Sequence, residues 1–144
     1  MKRNSSLFIV FLMLGLSSSL SAQTFSINSL VGKTWRAVSG YNGSDIVDYS
    51  IYFYNTYAHF TIKHKKDSQS SYVVEEDYYL SDIKVKSFDK AKVGKNKNGK
   101  YIIVGEPGES NKIEHIWTIE SLTSNKLVLK PGGIDNLTIT FVSD

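Results

Sequence analysis

The sequence predicts an all-β chain closed into an antiparallel up-and-down barrel, and three observations carry that prediction. Apolar and polar residues alternate with period two from Leu30 onward. The alternating runs are short, rich in β-branched and aromatic residues, and cut at close intervals by clusters of Gly, Asn, Asp and Ser. No long stretch carries a helical period. About nine strands joined mostly by short connections fit a meander that closes on itself and so removes its exposed edges. A β-sandwich fits the strand number almost as well, but its crossings usually need a few longer connections, and only residues 90–98 offer one.

Trp35, Ala37 and Ser39 alternate with Arg36 and Val38 and end at a turn over residues 40–44. Val47, Tyr49, Ile51 and Phe53 make one apolar face, with Asp48, Ser50, Tyr52 and Tyr54 opposite, and Asn55 and Thr56 form a tight connection. Ala58, Phe60 and Ile62 follow, and residues 64–71 make a polar turn. Tyr72, Val74, Glu76, Tyr78 and Leu80 share a face of the next strand, and Ile83 and Val85 continue the pattern between lysines. Residues 91–98 read as a loop and residues 101–104 as a short apolar strand. Ile113, His115, Trp117 and Ile119 then share a face, followed by Leu127 and Leu129, and by Leu137, Ile139 and Phe141 after Pro131-Gly132-Gly133.

Residues 1–22 read as a secretory signal: Lys2 and Arg3, an apolar run over residues 7–16, then small residues ending at Ala22. The run is shorter than the roughly 20 residues that span a bilayer. The expectation is a cleaved leader, a single domain over residues 23–144, export to the periplasm or the exterior, and no stable membrane span. Of the 17 basic residues two lie in the leader, against none of the 14 acidic ones, so the remaining chain carries a net charge of +1. That is too little for a general nucleic-acid binder, whose affinity rests on many phosphate contacts. With no cysteine there is no disulfide and no cysteine-linked lipid anchor, and the domain stands on its core.

Leu30-Val31-Gly32-Lys33-Thr34-Trp35-Arg36-Ala37-Val38-Ser39, close behind the leader, resembles the opening of lipocalin-like domains of the calycin kind. Ile116-Trp117-Thr118-Ile119-Glu120-Ser121-Leu122, Lys126-Leu127-Val128-Leu129 and the strand ending at Phe141 resemble the closing strands of small bacterial lipocalin-like proteins. Glycine lets the backbone turn tightly into the first strand, and tryptophan plugs one end of the barrel. Two residues, where one is usual, separate Gly32 from Trp35, and Lys130 is the nearest basic residue to cover the tryptophan. The resemblance implies a small hydrophobic molecule in the barrel interior, with no cofactor.

The inward residues expected to line such a site are Trp35, Tyr49, Phe53, Phe60, Tyr72, Glu76, Tyr78, His115 and Trp117. A mostly apolar pocket with a few placed polar groups is the usual arrangement for a small molecule. Glu76 and His115, helped by tyrosine hydroxyls, would orient its polar end, unless Glu76 sits at the rim or is turned outward by a bulge. No metal site is expected: His59 and His64, five apart, face opposite sides of a regular strand. No serine stands in a nucleophile elbow, and Glu75, Glu76 and Asp77 point to alternate faces, so no enzyme activity is expected. Residues 84–100 hold seven lysines against Asp89, a local charge of +6 that suits a solvated edge. The alternative function is a filled barrel that contacts a protein or surface glycan through an outer face of Tyr52, Tyr54, Tyr57 and Tyr79.

Overall fold

The computed structural model describes residues 23–40, 47–67 and 70–144. The signal expected over residues 1–22, and all but Gly40 of the turn expected over residues 40–44, lie outside the described residues. The strands are β1 (Phe25–Ser26), β2 (Thr34–Ser39), β3 (Val47–Phe53), β4 (Tyr57–His64), β5 (Ser71–Ser81), β6 (Asn98–Gly99), β7 (Tyr101–Gly105), β8 (Ile113–Leu122), β9 (Lys126–Pro131) and β10 (Ile139–Val142). Eight of them close a barrel in the order β10-β2-β3-β4-β5-β7-β8-β9, and every neighbouring pair is antiparallel. Closure excludes the sandwich, and the architecture is compatible with a calycin-like fold. The short strands β1 and β6 pair outside the barrel. Among the described residues no helix is long and apolar enough to cross a membrane.

Up-and-down connectivity sorts the connections between two ends. The β4–β5, β7–β8 and β9–β10 connections lie at one end, which we call open. The β3–β4, β5–β7 and β8–β9 connections lie at the other, with the segment that leads into β2.

That second end is packed. Phe25, Ile27 and Leu30 are buried on and around a 3-10 turn at Ile27–Ser29, whose Asn28 N–H donates to the Ser26 hydroxyl at 3.3 Å. Gly32 then takes φ 84°, a left-handed conformation that glycine adopts without strain, and the chain enters β2. Trp35 is fully buried, and its indole N–H donates to the Leu30 carbonyl at 2.9 Å. Lys33, and not Lys130, covers the ring: its Nζ stands 5.0 Å from the ring centroid and donates to the Ser124 carbonyl at 2.7 Å. Ile51, Phe53, Tyr78, Leu80 and Phe141 fill the barrel beside Trp35. The Tyr78 hydroxyl donates to the Tyr54 carbonyl at 2.6 Å, and burial raises its pKa, so it remains a neutral donor.

A second core lies outside the barrel wall. Tyr79, Phe88 and Ile103 are buried there, with Val85, Val93, Tyr101, Ile113 and Ile116 against them. The β5–β7 connection, with a 3-10 turn at Lys90–Lys92, folds back over the outer face and carries Phe88 onto Tyr79, ring centroids 5.3 Å apart. This corrects three sequence expectations. Tyr79 is buried and does not belong to an exposed aromatic face. Ile83 and Val85 form no strand: Ile83 is exposed and Val85 packs on the outer core. Residues 91–98, expected as a loop, contain part of the turn at Lys90–Lys92 and, at Asn98, the start of β6.

A fourth correction bears on the site. Across β7 and β8, Val104 pairs with His115 but Gly105 pairs with Ile113, so Glu114 is an extra residue in β8. That is a β-bulge, and it breaks the face parity of the strand. Ile113 packs on the outer core with Ile116 and does not share the inner face of Trp117 and Ile119.

Candidate functional site

At the open end the barrel wall rises around a cleft of about 430 Å³. Tyr49 of β3, Phe60 and Ile62 of β4, and Tyr72, Val74 and Glu76 of β5 line one side, and Glu106, Pro107, Glu114 and His115 the other. The strand register explains this grouping, since Tyr49 pairs with Ile62 and Ile62 with Tyr72, while Phe60 pairs with Val74. These residues share the inner face by period-two alternation. A second cleft of about 370 Å³ shares Tyr49, Ile62, Glu114 and His115 and adds Trp117, Pro131, Ile134, Leu137 and Ile139. The two are lobes of one mouth: the second is mainly apolar, and the first sets three glutamates and a histidine among aromatic and aliphatic side chains.

Of the residues the sequence singles out, Tyr49, Phe60, Tyr72, Glu76 and His115 meet in the first lobe, and Trp117 lines the second. The Trp117 indole stacks on His115 at 5.7 Å and meets Phe60 edge to face at 5.5 Å. Trp35, Phe53 and Tyr78 stand apart from them, fully buried in the packed half. Tyr72 is 65% exposed and forms part of the rim. The space lies at the mouth, open to solvent, and not in an enclosed barrel centre.

Glu76 is the unusual group. It faces the mouth from β5, only 7% exposed, opposite Ala58 on β4. Neither a rim position in water nor an outward turn describes it. No described group donates a hydrogen bond to its carboxylate, and no described Lys or Arg pairs with it. Burial, and secondarily the neighbouring Glu114 charge, push its pKa up to about 7. His115 is half-exposed; burial lowers its pKa, partly offset by Glu114, so its imidazole is neutral near pH 7. Glu114 completes the group, its Oε1 standing 3.8 Å from the His115 Nε2. One donor atom from each of Glu76, Glu114 and His115 lies within 4.8 Å of the others, the set among these residues that a metal ion would use.

Sequence reasoning missed Glu114, because strict alternation sends residues 114 and 115 to opposite faces. A signal was present: Ile113 and Ile116 are both apolar and three apart, a spacing a regular strand cannot place on one face. The other acidic residues behave as solvated charges. Glu75 meets His59 at 2.9 Å, Asp77 meets Lys90 at 3.6 Å, and Glu106 meets Lys112 at 2.6 Å, around an outer cleft of about 270 Å³. Such exposed pairs contribute little to stability. The chain matches no protein-family model, and comparison with curated proteins and with solved structures likewise finds no match.

Proposed function

We propose that the protein is an exported, lipocalin-like binding protein that holds a small, mainly hydrophobic molecule in the open mouth of its barrel, and that it is not an enzyme. The observation that carries this reading is the mouth itself: apolar and aromatic walls that converge on the mostly buried Glu76 and on His115, with Glu106 and Glu114 beside them. Desolvated walls supply affinity, and the polar groups fix orientation. A ligand with a hydroxyl, amide or amine at one end gives Glu76 the hydrogen-bond donor that no described residue supplies. Export, to the periplasm or the exterior, is the part of this reading that rests on the leader-like residues 1–22. This reading moves the ligand from the barrel centre to the mouth, because the packed half is filled by Trp35, Phe53, Tyr78 and Phe141.

A second reading, contact with a protein or a surface glycan, rests on the outer cluster of Tyr52, Tyr54 and Tyr57 around His59. Tyr54 and Tyr57 stack at 4.4 Å and Tyr52 and Tyr54 meet at 4.7 Å, all part-exposed on the wall. Native mass spectrometry of the protein purified from its own host separates the two. The mouth reading predicts a retained small molecule that is lost in Val74→Trp, which fills the first lobe. A mass free of adduct in the wild-type protein, or an adduct lost in Tyr54→Ser and kept in Val74→Trp, contradicts it.

A further inference from the structure

We infer that Glu76, Glu114 and His115 form a binding site for one divalent first-row transition cation, Zn²⁺ foremost, set in the wall of the barrel mouth. Three donors of the appropriate types converge from two strands, with their donor atoms within 4.8 Å of one another. Around a single zinc ion, bonded at roughly 2.0–2.2 Å, donors stand about 3–4 Å apart, so small side-chain rotations close the site. The Glu114 Oε1 and the His115 Nε2 already stand at 3.8 Å.

Two independent features point to a cation and not merely to an acidic surface. Glu76 is more than nine-tenths buried, aimed into the cluster and without a described hydrogen-bond donor, and a buried carboxylate left that way is costly. A metal ion supplies the missing positive charge. The second feature is the bulge, which turns Glu114 to the same place as its chain neighbour His115. Lys112, a nearby cation, forms its close ion pair with Glu106 at 2.6 Å; it feels the Glu114 charge as well, but no described ion pair joins it to Glu76. An imidazole beside two carboxylates favours zinc and its neighbours over Ca²⁺ and Mg²⁺, which take oxygen donors. Protein donors occupy three positions, and the side toward the mouth is left to water or to a donor atom of a ligand.

The inference goes beyond the carrier reading and does not need it, because Zn²⁺ is titrated alone. Isothermal titration of the metal-free protein in a non-coordinating buffer is expected to give one Zn²⁺ per chain, with Ca²⁺ binding far more weakly. Glu76→Gln and His115→Gln should each weaken Zn²⁺ by about tenfold or more, and His59→Gln should leave it unchanged. X-ray absorption at the zinc edge of the wild-type protein needs no variant and should show one imidazole among oxygen donors. Absence of saturable Zn²⁺ binding, tighter binding of Ca²⁺, two imidazoles at the metal, or loss in His59→Gln with no loss in Glu76→Gln would each overturn the site.

Discussion

The two ends of this barrel are built from the same alternating strands and put to opposite uses. At the packed end every inward side chain meets another: Trp35, Phe53, Leu80 and Phe141 are fully buried, the indole N–H and the Tyr78 hydroxyl both reach backbone carbonyls, and a lysine lies over the tryptophan ring. At the open end the same inward positions hold Tyr49, Tyr72, Glu76 and His115, which line a cleft, and the Glu76 carboxylate there has no hydrogen-bond donor among the described residues. Stability concentrates where polar groups are satisfied and apolar ones are covered. Binding capacity concentrates where they are not.

Three substitutions sharpen that contrast. The largest effect belongs to Trp35→Ala, which removes the central side chain of the packed end and should cost about 3–5 kcal/mol of unfolding free energy, read from denaturant titration. If the loss is under about 1 kcal/mol, the packed end is not what holds the barrel together. Next comes Glu76→Gln in chelator-treated buffer. The folded pKa of Glu76 is raised to about 7 from an ordinary 4.5, so the fold prefers the neutral acid. Its contribution to stability is fully present below about pH 4.5 and is lost as pH rises through about 7. The wild-type melting temperature should therefore fall relative to that of Glu76→Gln across this window, and parallel curves would show that Glu76 is solvated. The smallest effect is expected for Tyr72→Ala at the rim, within about 0.5 kcal/mol.

Much of the barrel is legible in the sequence, and the misses share a physical cause. Strands β3 and β4 follow from alternation alone, as does β8 between its two register shifts, and the inward placing of Glu76 and His115 follows from their parity with Tyr78 and Trp117. Parity carries no information where both faces of a strand are covered. Tyr78-Tyr79-Leu80 and Ile102-Ile103-Val104 are continuous apolar runs because one face fills the barrel and the other lies under Phe88. Such runs mark two-sided burial, and they are the reason Tyr79 is not on the surface. Gly105 belongs to the same arrangement: a Cβ there would stand 2.8 Å from the Phe88 ring, so only glycine lets the covering segment approach. The Glu114 bulge is a one-residue change of register, which composition does not record. The lysine over Trp35 comes from a position two residues before it, a contact set by the left-handed turn at Gly32 and not by strand alternation.

Trp35 is fully buried at the packed end and Val74 lines the open mouth, so substitutions at the two positions test the central claim directly. Titration with the neutral fluorescent probe N-phenyl-1-naphthylamine should give an enhanced probe emission at saturable one-to-one stoichiometry. The binding should persist in Trp35→Phe and be lost in Val74→Trp. Binding that survives unchanged in Val74→Trp, or no saturable binding at all, would contradict a barrel packed at one end and open for a ligand at the other.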